Sequence, residues 1–532
     1  MSGTLRYLII RPGIWNAPPG AGQAFSEVTV TTTFRAALAV ALLAGFYVIV
    51  AAFAAVAVAL DAFEAAHLNA AAVRGVVLIN IGVLVVLRGA FVVGGRRGTR
   101  PIGVRVVPEQ EPLLCRAVAE LAARARTRAP DEIRLVAEVN AAVSEDSRML
   151  GLWPGKRTMY IGMPLFLGLR VDELRAVLCH ELGHYSRAHT RLGAITYQGM
   201  TALNGTITRL ERHALIRRVF VLYARLYFAC SSAVARRQEL EADATAVAVA
   251  GQRAAADAIR DLHASAAAWD FYLESFCALI EPAQARPADL FAGFYSLIRQ
   301  PGRRAEFARA ALVPAPRTAY DSHPSPADRL TAIGQLAEPP VRPDPRPALT
   351  LLVDPASRAL ATQAQLLTGR ALNLPIMDWP QIAVRAMMAL RADSLAGIFT
   401  AVAQVAEAPR ATVDTVLWAL SAGLSGQIAQ RLRAGGWRGD DDRVLVAGVL
   451  SSAVEALLVQ AGQARWEFSW ADGVTLRDTA GAEVRADEPV LRAVHHPGRT
   501  GSLYEWLTRH GIGLDARPRQ EAETGRAAVR QR

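Results

Sequence analysis

The chain has 532 residues, of which 52% are hydrophobic and 20% charged, and its mean hydropathy is +0.19. These values exclude a disordered polar chain and indicate membrane-embedded segments. The formal net charge is +11, but the positive charge comes from arginines scattered among alanines, so no nucleic-acid partner is expected. The four cysteines show no paired spacing, which excludes a disulfide scaffold and a cysteine-ligated zinc ribbon.

Two apolar runs near the N-terminus predict membrane-spanning helices. Residues 36–60 carry no charge, and a helix of this length, about 37 Å, exceeds the roughly 30 Å hydrocarbon core of a bilayer. A second run, residues 75–93, carries Arg88 near its end, where a long side chain can reach the interface. We therefore predict an N-terminal cytoplasmic segment, 1–35, and two transmembrane helices with a short outside loop within residues 36–93.

Arginine distribution predicts the orientation of these helices. The loop between the two runs contains only Arg74, whereas arginines cluster on both outer flanks. By the positive-inside rule, both ends of the pair then face the cytoplasm. The sequence thus predicts a multi-pass protein of the cell membrane, with the bilayer as a partner and everything after about residue 94 in the cytoplasm. The flanking residues are Arg6, Arg11 and Arg35 before the pair, and Arg96, Arg97, Arg100 and Arg105 after it.

The remaining residues favour a mainly α fold with a small β-sheet. Apolar spacing predicts a helix over Pro112–Arg126, strands at Glu132–Glu138 and Thr158–Met163, and helices from Val171 to about Leu312. Five prolines interrupt any regular structure at 338–347. The predicted segments are a connector at 94–111, a first cytoplasmic domain at 112–337, a Pro-rich linker at 338–347, a mostly helical region of unknown role at 348–515 and a disordered basic tail at 516–532.

A helical run at residues 172–184, DELRAVLCHELGH, contains candidate metal-binding and catalytic residues. His180 and His184 are four residues apart and share one helix face, so both imidazoles can bind one metal ion. Glu181 is offset by about 100° and can reach a water molecule instead of the metal. Because the motif lies in an apolar helical pattern, with Asp172 as its expected N-cap, we interpret it as a metal site and not as two unrelated histidines.

A downstream helical segment, residues 232–243, offers the remaining ligand. Glu239 and Asp243 share a face, so Glu239 can bind the metal while Asp243 accepts the N–H of a ligating histidine. The alternative is a solvated acidic face, the usual meaning of such a pattern. The upstream HExxH motif favours the metal ligand, and three protein ligands leave a fourth zinc position open for water.

The sequences HELGH at 180–184 and RRQELEAD at 236–243 together resemble membrane zinc metallopeptidases of the HtpX and CAAX-prenyl-protease type. The resemblance covers about residues 105–335 and implies a zincin-like metallopeptidase domain with one zinc ion per chain. It also implies that Asn140 and Tyr160 line the substrate cleft. An extended substrate is then expected to add as a strand beside residues 158–163.

A weaker match in the same resemblance is Ser322-His323-Pro324, followed by Arg329. It implies that His323 assists catalysis as a second donor to the oxyanion, with Arg329 either serving instead or orienting it. The alternative is a loop histidine that caps the next helix. Residues 190–235 depart from the family, because arginines interrupt the second pair of membrane helices expected there. We predict a soluble or interfacial helix, and contact of 219–235 with the membrane stays open.

Two functions follow from these residues. The first is a membrane-anchored zinc endopeptidase that hydrolyses protein or peptide substrates with metal-activated water and Glu181 as general base. The resemblance implies a role in membrane-protein quality control. The second is a non-proteolytic scaffold or chaperone-like module with a structural zinc site. Structural sites usually have four protein ligands, and the sequence supplies a general base that such a site does not need. The oligomeric state stays open.

Overall fold

The computed structural model of the chain describes residues 102–145, 155–185, 214–311, 324–367 and 369–519, and some residues between 38 and 59. The fold is mainly helical, as the sequence predicts, and it has two small sheets where the sequence predicts one. Several predicted features lie outside the described residues: the N-terminal segment 1–35, the second apolar run at 75–93, His323 and the tail from residue 520.

A four-stranded sheet forms the floor of the first domain. Its strand order is β1-β2-β4-β3, with β2 and β4 parallel and the other pairs antiparallel. The sequence predicts β2 and β4 but not β1 or β3. Within the described residues, β4 pairs on both sides, and the two edge strands are β3 and the two-residue β1. The strands are β1 Val104–Arg105, β2 Glu132–Val136, β3 Ala141–Glu145 and β4 Arg157–Gly162.

Gly162 fixes the entry into β3. Its N–H donates to the Asn140 carbonyl at 2.7 Å, which holds the turn before β3 against the end of β4. A Cβ atom at this position would lie 2.0 Å from the carbonyl oxygen of Glu138. Every residue larger than glycine would therefore push the turn away from the sheet.

Helices of the first domain cover this sheet, and the predicted helices at 112–126 and 171–183 lie among them. The third helix, α3, packs between α4, α5 and β3, and it carries the HExxH motif. The helices are α1 Pro112–Arg124, α2 Met163–Gly168, α3 Val171–Gly183, α4 Ala214–Ala250, α5 Gln252–Ser275, α6 Ile280–Ala283, α7 Leu290–Ile298, α8 Pro301–Ala311 and α9 Pro326–Gly334.

The C-terminal region is mostly helical, as predicted for 348–515, and it includes a short β-hairpin before its last two helices. Its elements are α10 Pro355–Gln363, α11 Trp379–Val405, α12 Val413–Ser421, α13 Ser425–Ala434, α14 Asp442–Gln460, β5 Ala464–Ser469, β6 Gly473–Asp478, α15 Asp487–His495 and α16 Thr500–Arg509. Strands β5 and β6 pair antiparallel.

Two hydrophobic cores lie along the chain, and α11 belongs to both. The first core runs from Val106 to Ala386 and the second from Met387 to Ile512. The chain leaving the Pro-rich segment stays on the first domain, because the Val171 N–H donates to the Arg346 carbonyl at 2.8 Å. The domain boundary at 338–347 therefore stays a prediction.

Aromatic side chains join the C-terminal hairpin to the first domain. Trp470, at the hairpin turn, lies 5.0 Å from Phe276 and 5.7 Å from Trp379 between ring centroids. Phe276 is fully buried in the first core and Trp379 begins α11. These contacts between aromatic rings pack the junction in the manner of a protein interior.

One helix in the described part of the chain, α11, is long and apolar enough to cross a membrane. Its buried residues pack into the two cores, which is the environment of a core helix. The described residues between 38 and 59 are helical, and the Tyr223 hydroxyl donates to the Leu42 carbonyl. Membrane insertion of the predicted helices within 36–93 stays a prediction.

Candidate active site

Helix α3, which carries the HExxH motif, begins two residues earlier than an N-cap at Asp172 predicts. Arg170 is its N-cap, and the Glu173 side chain accepts the Arg170 N–H at 2.7 Å. The prediction of Asp172 as N-cap is wrong. Asp172 lies in the first turn, where a carboxylate is stabilised by the helix dipole.

The predicted metal ligands come together where α3 crosses α4. The His180 and His184 Nε2 atoms are 3.2 Å apart. The Glu239 carboxylate lies 3.3 Å from His180 Nε2 and 3.6 Å from His184 Nε2. These three residues form the one group of this kind in the described part of the chain that could hold a metal ion.

The spacing of the three donor atoms fits zinc. Bonds of roughly 2.0–2.1 Å in tetrahedral geometry place neighbouring donor atoms roughly 3.3–3.4 Å apart. The observed separations of 3.2, 3.3 and 3.6 Å bracket that value. Two imidazoles and one carboxylate are also the donor set of catalytic zinc sites, which keep a fourth position for water or substrate.

A glycine allows the two helices to approach closely enough for this contact. Gly183 faces Ala242 of α4, and a Cβ atom on Gly183 would lie 3.2 Å from the Ala242 Cα. The absence of a side chain thus lets α4 bring Glu239 to the histidines.

Asp243 lies behind the ligand group and orients His180. Its Oδ1 is 2.9 Å from His180 Nδ1, so the Nδ1–H donates to the carboxylate and the Nε2 lone pair faces the donor group. Arg329 of α9 donates to both Asp243 oxygens, at 2.6 and 2.8 Å. The guanidinium is also 3.2 Å from His180 Nδ1. Arg329 is therefore on the side of His180 away from the donor group.

Burial and hydrogen bonding set the charges of this array. Burial acts to lower the pKa of His180, but hydrogen bonds with Asp243 and Glu239 outweigh it and raise the pKa to about 9 in the metal-free protein. Burial acts to raise the pKa of Asp243, but Arg329 and His180 hold it below its usual range. Asp243 is therefore an ionised acceptor for the His180 N–H.

Cys179, next to the first histidine, is directed elsewhere. Its thiol donates to the Thr245 carbonyl at 3.6 Å and is fully buried. Burial raises its pKa to about 12, so it stays a neutral thiol and not the thiolate that binds metal.

Three other predicted site residues lie on α3, on β4 and just before β3. Glu181 is half-buried on α3, one residue beyond His180. Tyr160 is half-buried in β4, opposite Ala142 of β3, and Asn140 is exposed just before β3. His323 lies outside the described residues. Their roles as base, cleft residues and oxyanion donor stay predictions.

Two expectations from the sequence need correction. Residues 158–163 do not offer a free edge, because β4 pairs with β2 and β3. On this side of the sheet, a substrate strand can add beside β3, which is the edge strand there. The helix after His323 is capped by Ser325, whose hydroxyl accepts the Asp328 N–H at 3.1 Å. It therefore does not need His323 as its cap.

Sequence reasoning missed one residue near the site, Tyr185. It follows His184 directly, and its hydroxyl donates to the Val143 carbonyl of β3 at 2.7 Å. No sequence signal marked this contact, because β3 itself was not predicted.

An HExxH helix and a glutamate from a second helix form the ligand arrangement that is typical of zinc metallopeptidases. Residues 108–337 match the model of peptidase family M48. The resemblance to HtpX and CAAX-prenyl-protease enzymes is thereby confirmed for this part of the chain. No curated protein and no solved structure matches the chain.

Proposed function

We propose that the protein is a membrane-anchored, zinc-dependent endopeptidase whose catalytic domain faces the cytoplasm. The observation that carries the proposal is the group of donor atoms from His180, His184 and Glu239, separated by 3.2, 3.3 and 3.6 Å. A zinc ion bound there would supply a Lewis acid that polarises the scissile carbonyl and lowers the pKa of water.

The side chains around the ligands then have separate roles. Glu181 takes a proton from the attacking water and returns it to the leaving amine. Asp243 holds the His180 ring in one tautomer through the 2.9 Å contact with Nδ1. Arg329 in turn holds Asp243. It is a positioning residue, because its guanidinium contacts Asp243 and Nδ1 and not the donor group.

His323 is the proposed second donor to the oxyanion. In support, α9 begins at Pro326, and Arg329 on its first turn contacts Asp243 at 2.6 Å. The segment that includes Pro324 and Ser325 therefore leads into a helix that contacts Asp243.

The proposed substrate is a protein segment that adds to the sheet as an extended strand. β3 is the proposed acceptor strand, since it is an edge strand of the sheet within the described residues and packs against α3. Asn140 at the start of β3 and Tyr160 on the neighbouring strand are the proposed cleft residues. Membrane proteins and misfolded proteins are the proposed substrates, in a quality-control role that rests on the family resemblance.

The alternative, a scaffold with a structural zinc ion, is less well supported. A structural site usually has four protein ligands. Among the described residues, the metal-binding group has three, and Cys179 is directed to Thr245 instead. Membrane anchoring and the cytoplasmic orientation rest on the apolar runs within 36–93 and on the arginines around them.

Replacement of Glu181 by Gln tests the catalytic proposal. The amide cannot accept a proton, so we expect casein cleavage to fall below a few per cent of wild type while zinc content and the melting temperature stay unchanged. Zinc is measured by atomic absorption on the purified protein, and Glu241→Gln on α4 serves as a control, because Glu241 pairs with Arg237. A fully active Glu181→Gln protein would refute the base assignment. A wild-type protein that binds zinc but never cleaves would favour the scaffold.

A further inference from the structure

Alternate residues of β3 point their backbone groups away from the sheet. The Gly162 N–H donates to the Asn140 carbonyl at 2.7 Å, so the Asn140 backbone faces β4. Bonding directions alternate along an antiparallel strand. The N–H and C=O groups of Ala141 and Val143 therefore point outward, toward the edge where a substrate strand would add.

Tyr185 already contacts one of these outward groups. Its hydroxyl donates to the Val143 carbonyl at 2.7 Å. An added strand would run roughly 4.7–4.9 Å from β3. Because the phenol oxygen lies 2.7 Å from the outer side of Val143, the tyrosine side chain enters that path.

Two further contacts hold Tyr185 in this position. The Arg157 guanidinium lies over its ring, 4.8 Å from the centroid, and the Thr127 hydroxyl donates to its carbonyl at 2.8 Å. Arg157 is buried and also pairs with Glu145 at the end of β3, at 3.1 Å. The ring is thus held between the active-site helix and the end of the edge strand.

We propose that Tyr185 limits how far a substrate strand extends along β3. This inference rests on the proposed function, since it assumes that substrate pairs with this edge. The substrate hydrogen-bonds with Ala141 and ends before Val143. The enzyme therefore selects proteins that present a short extended segment, such as a locally unfolded loop. A longer strand on that side does not increase the binding affinity.

A peptide series tests this limit. Peptides with one cleavage sequence are extended by single residues on either side, and their Kd is measured by fluorescence anisotropy in the zinc-loaded Glu181→Gln protein. In that background, affinity should stop rising at a fixed length on one side. Adding Tyr185→Ala should allow one or two more residues to tighten binding, by about 2- to 10-fold for each new backbone hydrogen bond.

Two companion variants keep the test decisive. Tyr185→Phe retains the ring under Arg157 and removes only the hydroxyl, so it replaces the alanine variant if that protein melts early. Tyr295→Phe removes a hydroxyl that accepts from Arg299 at 2.9 Å on the distant helix α7, and it should keep the original length limit.

The outcomes separate the two proposals. An unchanged length limit in a stably folded Tyr185 variant would overturn the inference, as would a uniform change in affinity at every length. Failure of the zinc-loaded wild-type protein to cleave any peptide of the series would instead contradict the proposed function. The binding series would still report on Tyr185.

Discussion

Removal of Arg329 tests the arrangement behind His180. The Asp243 side chain is 4% exposed and the Arg329 side chain 16% exposed, and they are joined by two hydrogen bonds of 2.6 and 2.8 Å. Arg329→Ala leaves a buried carboxylate with His180 alone. Breaking a buried ion pair in this way costs about 3–5 kcal/mol of stability. Because Asp243 orients a zinc ligand, zinc affinity should also fall about 10- to 100-fold.

Charge alone should not rescue this variant. Arg329→Lys keeps the positive charge but cannot donate to both Asp243 oxygens in the planar fork of a guanidinium, so an intermediate zinc affinity is expected. Combining Arg329→Ala with Asp243→Asn should restore part of the stability, since the neutral amide leaves no unpaired charge. Thermal unfolding of the metal-free protein and competition with a chromogenic chelator measure the two effects separately.

An exposed arginine provides the matched control. Arg253 is 87% exposed and lies 3.7 Å from Asp257, so Arg253→Ala should change stability by about 1 kcal/mol or less. If Arg329→Ala matched this control in both stability and zinc affinity, the arrangement behind His180 would be refuted.

The remaining predictions concern the third ligand, the topology and the oxyanion donor. Glu239→Ala should lose zinc at limiting metal, whereas Glu241→Ala should keep it; a full zinc complement in Glu239→Ala would exclude that ligand. A cysteine introduced at Ala66 should be labelled by an impermeant reagent in intact cells, and one at Ala337 should not; the reverse pattern would invert the orientation. His323→Ala should lower kcat by about 10²- to 10³-fold with zinc content and KM nearly unchanged, and loss of the metal would instead make His323 a ligand.

Periodic patterns in the sequence are sufficient to predict much of the fold and the group of metal ligands. The i, i+4 spacing of His180 and His184 on an apolar helix, and of Glu239 and Asp243 downstream, needs only local geometry. Strand β3 was missed because Ala141-Ala142-Val143-Ser144-Glu145 has little β-branched character and adjoins a turn-rich stretch. The site's edge strand was therefore assigned to β4.

Contacts between residues that are far apart in the sequence are harder to predict. Arg329 is 86 positions from Asp243, and Tyr185 is 42 positions from Val143. Neither distance has a sequence period that would reveal the contact. The motif around His323 named Arg329 as a site residue, but only the folded chain places it behind His180. The Tyr185 contact depends on knowing that β3 exists.

Helix α11 couples the unfolding of the two hydrophobic cores. It runs without interruption from Trp379 to Val405, about 40 Å, and passes from the first core to the second between Ala386 and Met387. Neither core can melt without fraying a helix that the other requires, so the part of the chain that holds the two cores, from Val106 to Ile512, should unfold as one cooperative unit. A ligand that binds only the native state stabilises everything that unfolds with its site. Zinc bound at His180 would then protect the hairpin at Trp470 as well.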